Sequence, residues 1–201
     1  MDVATQKKWD RVAPNFDLMA SYGPEKRWAP FKQELFGNMG HGKILFLAVG
    51  TGLDVQFFPS GRSILGIDIS QKMLDVAAER VGRYEGALTV QQMDVHDMPF
   101  EDGHFDQVFT SCTFCSVPNP VSGLEALRRV LKPGGDLYMF EHTGSRYYPF
   151  KLMMDLMTPL TRKLGPEMNR PTVENVRAAG YQLEKVEHVY LDVVKTIHAT
   201  A

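Results

Sequence analysis

The sequence predicts an α/β fold in which helices cover both faces of a mostly parallel sheet. Residues 44–49 are six consecutive apolar residues, the pattern of a strand that is buried on both faces. From Ile44 to His142, short apolar runs alternate with segments of helical periodicity. Two of these runs are followed by an aspartate, Asp68 and Asp94, so both carboxylates are expected at one edge of the sheet.

Length and composition limit the class of protein. The 201 residues are expected to form a single domain, 1–201, with one large core. The formal net charge of −2 argues against a nucleic-acid partner held by bulk charge. The sequence has neither an apolar run of roughly 20 residues that could cross a bilayer nor an apolar signal peptide at residues 1–8, which predicts a cytoplasmic location. No obligate protein partner is evident.

Residues 1–43 are predicted to form an N-terminal helical cap, with helices at 5–12 and 25–39 and Pro24 opening the second. This region is rich in aromatic residues, namely Trp9, Phe16, Tyr22, Trp28 and Phe31. Two interpretations are open: the rings cover the open edge of the sheet, or they contact substrate or a membrane. Basic residues beside Trp9 predict docking of this segment on an anionic membrane surface, through Lys7, Lys8 and Arg11.

A glycine loop follows the first strand. Gly50 and Gly52 let the backbone turn sharply and approach a ligand closely, although a tight strand-to-helix turn has the same pattern. The next apolar run, 64–67, ends in Asp68, near the roughly 20-residue offset at which a carboxylate meets ribose hydroxyls. A third run, 88–93, ends at Asp94 and Val95, a polar and an apolar group suited to an adenine edge. These strand ends predict a nucleoside site.

The remaining elements follow in order. Ser70 is placed to cap a helix over 71–81. A fourth strand is predicted at 105–109, then a helix whose last turns hold Arg128, Arg129 and Lys132, and a fifth strand by residue 138. Residues 143–170 interrupt the alternation as a Met-rich lid insertion, either ordinary core or a wall for an apolar ligand. A last helix at 171–179 and a closing pair of strands within 182–201 complete the chain.

Four motifs in this order give the sequence a family resemblance: Gly50-Thr51-Gly52, Gly66-Ile67-Asp68-Ile69-Ser70, Met93-Asp94-Val95 and Leu131-Lys132-Pro133-Gly134-Gly135. The chain resembles class I S-adenosylmethionine-dependent methyltransferases. The resemblance implies a Rossmann-like seven-stranded sheet with one antiparallel strand, S-adenosyl-L-methionine as cofactor and no metal. The cofactor-binding residues that it implies are Ala48, Gly50, Gly52, Asp68, Ile69, Met73, Asp94, Val95 and Thr110.

Two positions depart from that family. Phe46 stands where an acidic residue is usual, so Asp10, Asp54 or carbonyls around Ala48 and Thr110 are expected to meet the cofactor's ammonium group. Ala48 stands where glycine is usual, a change that costs little provided that its φ is negative.

Other segments resemble bacterial phospholipid N-methyltransferases: residues 11–17, residues 115–120 and Phe140-Glu141-His142. This resemblance implies a phospholipid substrate, phosphatidylethanolamine, and a peripheral position on the inner face of the membrane. The same segments are similar to membrane-associated thiol methyltransferases and, less closely, to quinone C-methyltransferases. A non-catalytic module that only docks on membranes is a further alternative.

The candidate catalytic residues lie on the cap, the fifth strand and the lid. Glu141 and His142 are expected to accept a proton, although a histidine there is equally a structural residue. Aromatic rings facing the transferring methyl would bind a methylated ammonium, and the candidates are Tyr22, Tyr147 and Tyr148. The pair Cys112 and Cys115 has the C-x-x-C spacing of zinc or redox sites, but without a second pair it is better explained as cavity wall.

Overall fold

The sheet is the frame of the molecule. The computed structural model describes the backbone of residues 1–21 and 25–201, and the side chains of 1–18, 27–162 and 165–201. Its strands are β1 (Lys43–Leu47), β2 (Ser63–Asp68), β3 (Ala87–Gln92), β4 (Phe105–Ser111), β5 (Leu131–His142), β6 (Gln182–Tyr190) and β7 (Val194–Thr200). They form one sheet in the order β3-β2-β1-β4-β5-β7-β6.

Strand direction confirms the predicted sheet. β1 to β5 pair in parallel, whereas β7 runs antiparallel to both β5 and β6. The carboxyl ends of β3, β2, β1 and β4 therefore lie side by side at one edge, and the chain order reverses between β1 and β4. Ligands of open α/β sheets bind outside the strand ends at such a reversal.

Helices cover both faces, as predicted. They are α1 (Val3–Val12), α2 (Phe16–Ser21), α3 (Glu25–Gly37), α4 (Gln71–Gly82), α5 (Pro120–Val130), α6 (Phe150–Leu164) and α7 (Thr172–Ala178). Apolar residues of α3 and α4 pack on one face of the sheet, among them Phe36 and Leu74. Those of α5 and α7 pack on the other, among them Leu127 and Val176. Each face therefore has its own buried core.

Helix ends depend on local hydrogen bonds. Ser70 caps α4 as predicted, since its Oγ accepts from the Met73 amide at 3.2 Å. α1 begins at Val3, two residues earlier than predicted, because the Asp2 carboxylate accepts from the Thr5 amide at 2.6 Å.

The placement of Lys132 in a last helical turn is wrong. α5 ends at Val130, and Leu131 is already extended and paired with Phe105 of β4. Lys132 consequently lies in β5.

The connection from β5 to α7 carries α6, which belongs to neither helical layer. Of its side chains, Met154 and Thr158 are buried, whereas most of its large apolar residues are exposed. Among the described helices, none combines the length and the hydropathy needed to span a bilayer.

Candidate active site

A cleft opens at the carboxyl ends of β3, β2, β1 and β4. Its volume is about 810 Å³ with the open mouth included. Seven of the predicted cofactor residues line it: Ala48, Gly50, Asp68, Ile69, Met73, Asp94 and Val95. The other two, Gly52 and Thr110, are not part of its wall.

Asp68 joins two strand ends. One carboxylate oxygen accepts from the Gly50 amide at 2.8 Å and the other accepts from the Ser70 amide at 2.8 Å. Burial raises the pKa of this carboxyl, and the two amide bonds oppose the rise. Asp68 thus fixes the glycine loop and still presents lone pairs to the cleft, where ligand hydroxyls can donate to them.

Asp94 lies at the end of β3 and also receives several donors. Oδ1 accepts from the His96 amide at 2.9 Å and lies 2.9 Å from the His96 ring, while Oδ2 accepts from the Asp2 amide at 2.7 Å. Burial alone would raise the pKa of Asp94, but these hydrogen bonds outweigh it and lower the pKa. Asp94 is therefore held as an acceptor, which suits the exocyclic amine of a purine.

The two loop glycines have different roles. Gly50 has φ of 56°, and a Cβ at this position would meet nothing within 4 Å, so its bare backbone borders the cleft. Gly52 has φ of 80°, and a Cβ there would lie 3.2 Å from the Cβ of Ala77. The prediction that Gly52 contacts the cofactor is therefore corrected: Gly52 lets the loop pack closely against α4.

Ala48 has φ of 60°, the opposite sign from the one that would make this alanine inexpensive. Its side chain lines the cleft while its backbone is in the left-handed region, where a Cβ costs on the order of 1 to 2 kcal/mol. The strain lies at the loop position where this chain has alanine and the family usually has glycine.

Ala48→Gly is expected to stabilise the fold by about 1 kcal/mol, because glycine adopts a positive φ without the steric cost. For a chain of this size, that is an increase of roughly 2 to 4 °C in melting temperature. Ala199→Gly is the matched control, since Ala199 is buried in β7 and glycine should destabilise it. A lower melting temperature for Ala48→Gly than for the unmodified chain would contradict the strain argument.

The N-terminal cap closes the cleft from above. Asp2, Thr5, Trp9 and Phe16 all line it. The rings of Trp9 and Phe16 pack edge to face, with their centroids 6.3 Å apart. Trp9 therefore forms part of the cleft wall.

Three aspartates attach this cap to three strand ends. Asp2 donates its amide to Asp94 after β3, and Asp10 accepts from the Ser70 hydroxyl after β2 at 2.6 Å. After β1, Asp17 accepts from the Thr51 hydroxyl at 2.5 Å and pairs with Arg80 at 2.7 Å. Neither Asp2 nor Asp17 was predicted to have this role, and no local signal marks them, because their partners lie 92 and 34 residues away in the sequence.

The replacements proposed for the missing acidic residue are engaged elsewhere. Asp54 forms a 2.7 Å ion pair with the buried Lys32, and Asp10 binds Ser70. Phe46 is buried between Phe36 and Phe58, so this position belongs to the core. Of the positions predicted to meet an ammonium, Ala48 lines the cleft, and so does Ser111 next to Thr110.

Glu141 lies beneath the loop that follows β4 and is fully buried. Its carboxylate accepts from the amides of Thr113 and Phe114 and from the Thr110 hydroxyl, at 3.0, 3.2 and 3.0 Å. Burial raises its pKa to about 7 against these bonds. Glu141 and Thr110 are therefore not in contact with the cleft. Glu141 is a positioning residue that holds the loop whose residues Cys112 and Thr113 line the wall.

The other predicted catalytic residues also lie away from the cleft. His142 is on the opposite face of β5 from Glu141, its buried Nδ1 has no hydrogen-bond partner, and burial, with Lys195 nearby, lowers its pKa. Tyr147 and Tyr148 are exposed on the surface before α6. Successive side chains of a strand point to opposite faces of the sheet, so His142 points away from Glu141. The two tyrosines lie in an exposed turn. Tyr22 lies outside the described residues.

The two cysteines differ in position. Cys112 has φ of 51° and is exposed within the cleft, while Cys115 is buried and its thiol donates to the Cys112 carbonyl at 3.3 Å. The enclosing protein raises the pKa of both thiols, that of Cys115 to about 12. Within the described part of the chain, no three histidine, cysteine or acidic residues are grouped as a metal site.

The residues present fit S-adenosylmethionine. Buried carboxylates at adjacent strand ends, Asp68 and Asp94, can accept from ribose hydroxyls and the adenine amine. Ile69 and Val95 supply apolar walls beside them, and Gly50 allows close approach of the backbone. The cleft then continues past β1 to the β4 end, which is lined by Trp9, Phe16 and Cys112, while Val117 and Pro118 of the following loop turn back towards Val95 and His96. That end is the place for a methyl acceptor.

Comparison with known proteins points to the same chemistry. Residues 45–139 match the model of the family described as methyltransferase domain. The chain is 33% identical over 156 residues to the ubiquinone/menaquinone biosynthesis C-methyltransferase UbiE of Geotalea daltonii, covering 73% of this chain and 66% of that protein. It thus spans just under two thirds of that bacterial relative.

A human relative aligns over more of both chains. The chain is 30% identical over 188 residues to the human thiol S-methyltransferase TMT1B, covering 84% of this chain and 76% of that protein. Among solved structures, a SAM-dependent methyltransferase from Aquifex aeolicus superimposes with a TM-score of 0.64 at 18% identity, over 100% of this chain and 98% of the other. That likeness shows the fold, and the sequence relatives show the family. The chain belongs to the class I S-adenosylmethionine-dependent methyltransferases.

Proposed function

We propose that this methyltransferase acts on a small, largely apolar thiol. The supporting observation is the chemistry of the acceptor end of the cleft. Among the described lining residues, the ionisable groups Asp2, Asp68, Asp94 and His96 lie at the nucleoside end. At the β4 end the described ionisable group is Cys112, whose thiol is exposed in the cleft and whose pKa is raised well above its ordinary value by the enclosing protein and by the nearby Glu141. This end therefore offers no described side chain suited to act as a general base.

An acceptor that ionises unaided fits such a site. A thiol with a pKa of roughly 8.5 is a few per cent thiolate at neutral pH, and the thiolate is a strong nucleophile. An alkyl amine, with a pKa nearer roughly 10, must first lose a proton to a base. The bound cofactor supplies the electrophilic methyl group. The chain's own residues position the two reactants and exclude water through Trp9 and Phe16.

The relatives also place a thiol or a quinone ahead of a phospholipid as the acceptor. TMT1B is a thiol S-methyltransferase, and it aligns over a larger share of this chain than UbiE does. Together they favour the thiol and quinone alternatives over phosphatidylethanolamine, the acceptor ranked first by resemblance. The positions of Tyr147 and Tyr148 outside the cleft remove two of the three rings proposed to bind a methylated ammonium.

Quinone C-methylation is the second candidate. It is supported by the 33% identity to UbiE and by the apolar wall of Trp9 and Phe16. A reduced quinone would have to ionise at a phenolic oxygen, with a pKa near roughly 10, before its ring carbon attacks. The absence of a described base at the β4 end places it behind the thiol.

The test is a direct comparison of acceptors. Purified protein with methyl-labelled cofactor is given a small alkyl thiol, a short-chain reduced quinone, or phosphatidylethanolamine vesicles. Label is expected in the thioether, with little or none in the lipid. Asp68→Ala, which is expected to impair cofactor binding, is the matched control for uncatalysed transfer. Label that enters phosphatidylethanolamine or the quinone ring faster than the thiol would refute the thiol proposal.

A further inference from the structure

We propose that the outer face of α6 is a docking surface for an anionic phospholipid bilayer. This α6 face consists of apolar side chains at helical spacing that point away from the protein: Leu152, Met153, Leu156, Met157 and Leu160. Leu156 is 72% exposed and Leu160 is 65% exposed. The inward side is narrower and holds Met154 and Thr158. The more apolar side of this helix therefore faces solvent, the reverse of an ordinary surface helix.

The face continues onto neighbouring segments. Tyr147, Tyr148 and Phe150 are exposed at the N-terminal end of α6. Asp192 accepts from the Ser145 hydroxyl and from the Arg146 amide, both at 2.7 Å, which brings the β6–β7 turn beside this end. That turn exposes Leu191 and part of Tyr190. Exposed aromatic rings next to an apolar face are typical of the membrane interface.

The charges around α6 favour an anionic partner. Residues 143–164 contain four basic residues, Arg146, Lys151, Arg162 and Lys163, and one acidic residue, Asp155, in a chain of net charge −2. Lys151 pairs with Asp155 and Arg162 with Glu167, but both basic side chains stay more than half exposed. Such surface pairs are weak and leave the cations within reach of anionic headgroups.

A second copy of this chain fits the face less well. A two-fold symmetric contact places the same patch on both sides, so the basic residues that flank α6 would face each other. An anionic lipid surface satisfies the apolar and the basic residues together. This inference does not depend on which acceptor is methylated.

The surface differs from the one expected from sequence. In the N-terminal segment Trp9 lines the cleft, and Lys8 donates to the Gly165 carbonyl at 2.9 Å. Lys7 and Arg11 are exposed, and they belong to α1, in which no residue is buried. This helix carries no run of large exposed apolar side chains comparable to that of α6. The α6 face is the site that combines both features.

The test is sedimentation of the full chain with vesicles of phosphatidylcholine containing phosphatidylglycerol, and with vesicles of phosphatidylcholine alone. The unmodified chain is expected to pellet with the mixed vesicles and much less with phosphatidylcholine alone. Leu156→Gln combined with Leu160→Gln should weaken binding by roughly tenfold or more, because each leucine loses its transfer into lipid. Arg146→Ser combined with Lys151→Ser should weaken it by about fivefold per residue.

Two controls separate this surface from others. Val76→Gln changes an exposed apolar residue of α4 and should leave pelleting unchanged. Lys7→Ser combined with Arg11→Ser should also leave it unchanged. Thermal unfolding and S-adenosylhomocysteine binding report whether each variant is folded, and vesicle binding is measured without any methyl acceptor. A Leu156→Trp variant gives an independent signal, a blue shift of its emission when mixed vesicles are added.

Several results would overturn the proposal. They are no pelleting of the unmodified chain, equal pelleting with both vesicle types, or no emission shift for Leu156→Trp. Loss of pelleting in the Lys7/Arg11 variant instead of the Leu156/Leu160 variant would move docking to the N-terminal segment. A dimer in analytical ultracentrifugation that Leu156→Gln with Leu160→Gln converts to monomer would make the α6 face a contact between copies.

Discussion

Asp68→Ala is expected to weaken binding of S-adenosylhomocysteine by on the order of 3 kcal/mol, about a hundredfold in Kd. Two losses add in this variant. The ligand hydroxyls lose a charged acceptor, and the amides of Gly50 and Ser70, both bonded to Asp68, are left without it. The glycine loop therefore loses its tie to β2. Isothermal titration calorimetry measures the change directly.

Asp68→Asn is the matched variant for this prediction. Its amide keeps one acceptor oxygen, so it can hold one of the two backbone donors and should show an intermediate affinity. Thermal unfolding checks that both variants are folded. If Asp68→Ala binds as tightly as the unmodified chain while folded, the assignment of the nucleoside site to the β2 end is wrong.

Glu141→Gln is expected to remove a pH dependence of stability. The pKa of Glu141 is raised from its ordinary value of 4.5 to about 7 by burial. Between these values the folded chain holds a proton that the unfolded chain has released, so this group destabilises the fold as pH rises. Its contribution to the free energy of unfolding amounts to about 3 kcal/mol. This contribution is complete below about pH 4.5 and is lost as the pH rises through about 7.

The measurement is urea unfolding at about pH 5 and about pH 8, compared between the unmodified chain and Glu141→Gln. Subtracting the pH-dependent change in unfolding free energy of Glu141→Gln from that of the unmodified chain removes the contribution of all other titrating groups. Glu101→Gln changes an exposed glutamate and should keep the slope of the unmodified chain. If the stability of Glu141→Gln falls with pH as steeply as that of the unmodified chain, Glu141 does not carry the buried proton.

Local motifs explain why the nucleoside site was predictable. Each strand end and the loop after it form a short segment, so Gly50, Asp68 and Asp94 could be placed from neighbouring residues alone. The parallel sheet then brings them together whatever the loops do. The conditional expectation for Ala48 failed because its φ depends on the turn into the glycine loop and not on residue type.

The acceptor end could not be predicted in the same way. Alternation in β5 shows that Glu141 and His142 point to opposite faces, but not which face meets the cleft. The answer depends on the loop after β4, whose amides enclose Glu141, and on the cap, which brings Asp2, Trp9 and Phe16 over the strand ends. Both are contacts between segments far apart in sequence.

The attachment of the N-terminal cap by Asp2, Asp10 and Asp17 makes product release a step of its own. These contacts cross the ends of β3, β2 and β1, above the nucleoside end, and Trp9 and Phe16 of the same cap lie over the β4 end. Neither the methylated acceptor nor the spent cofactor is expected to leave while the cap stays in place. Cap opening, not chemistry, should therefore limit turnover.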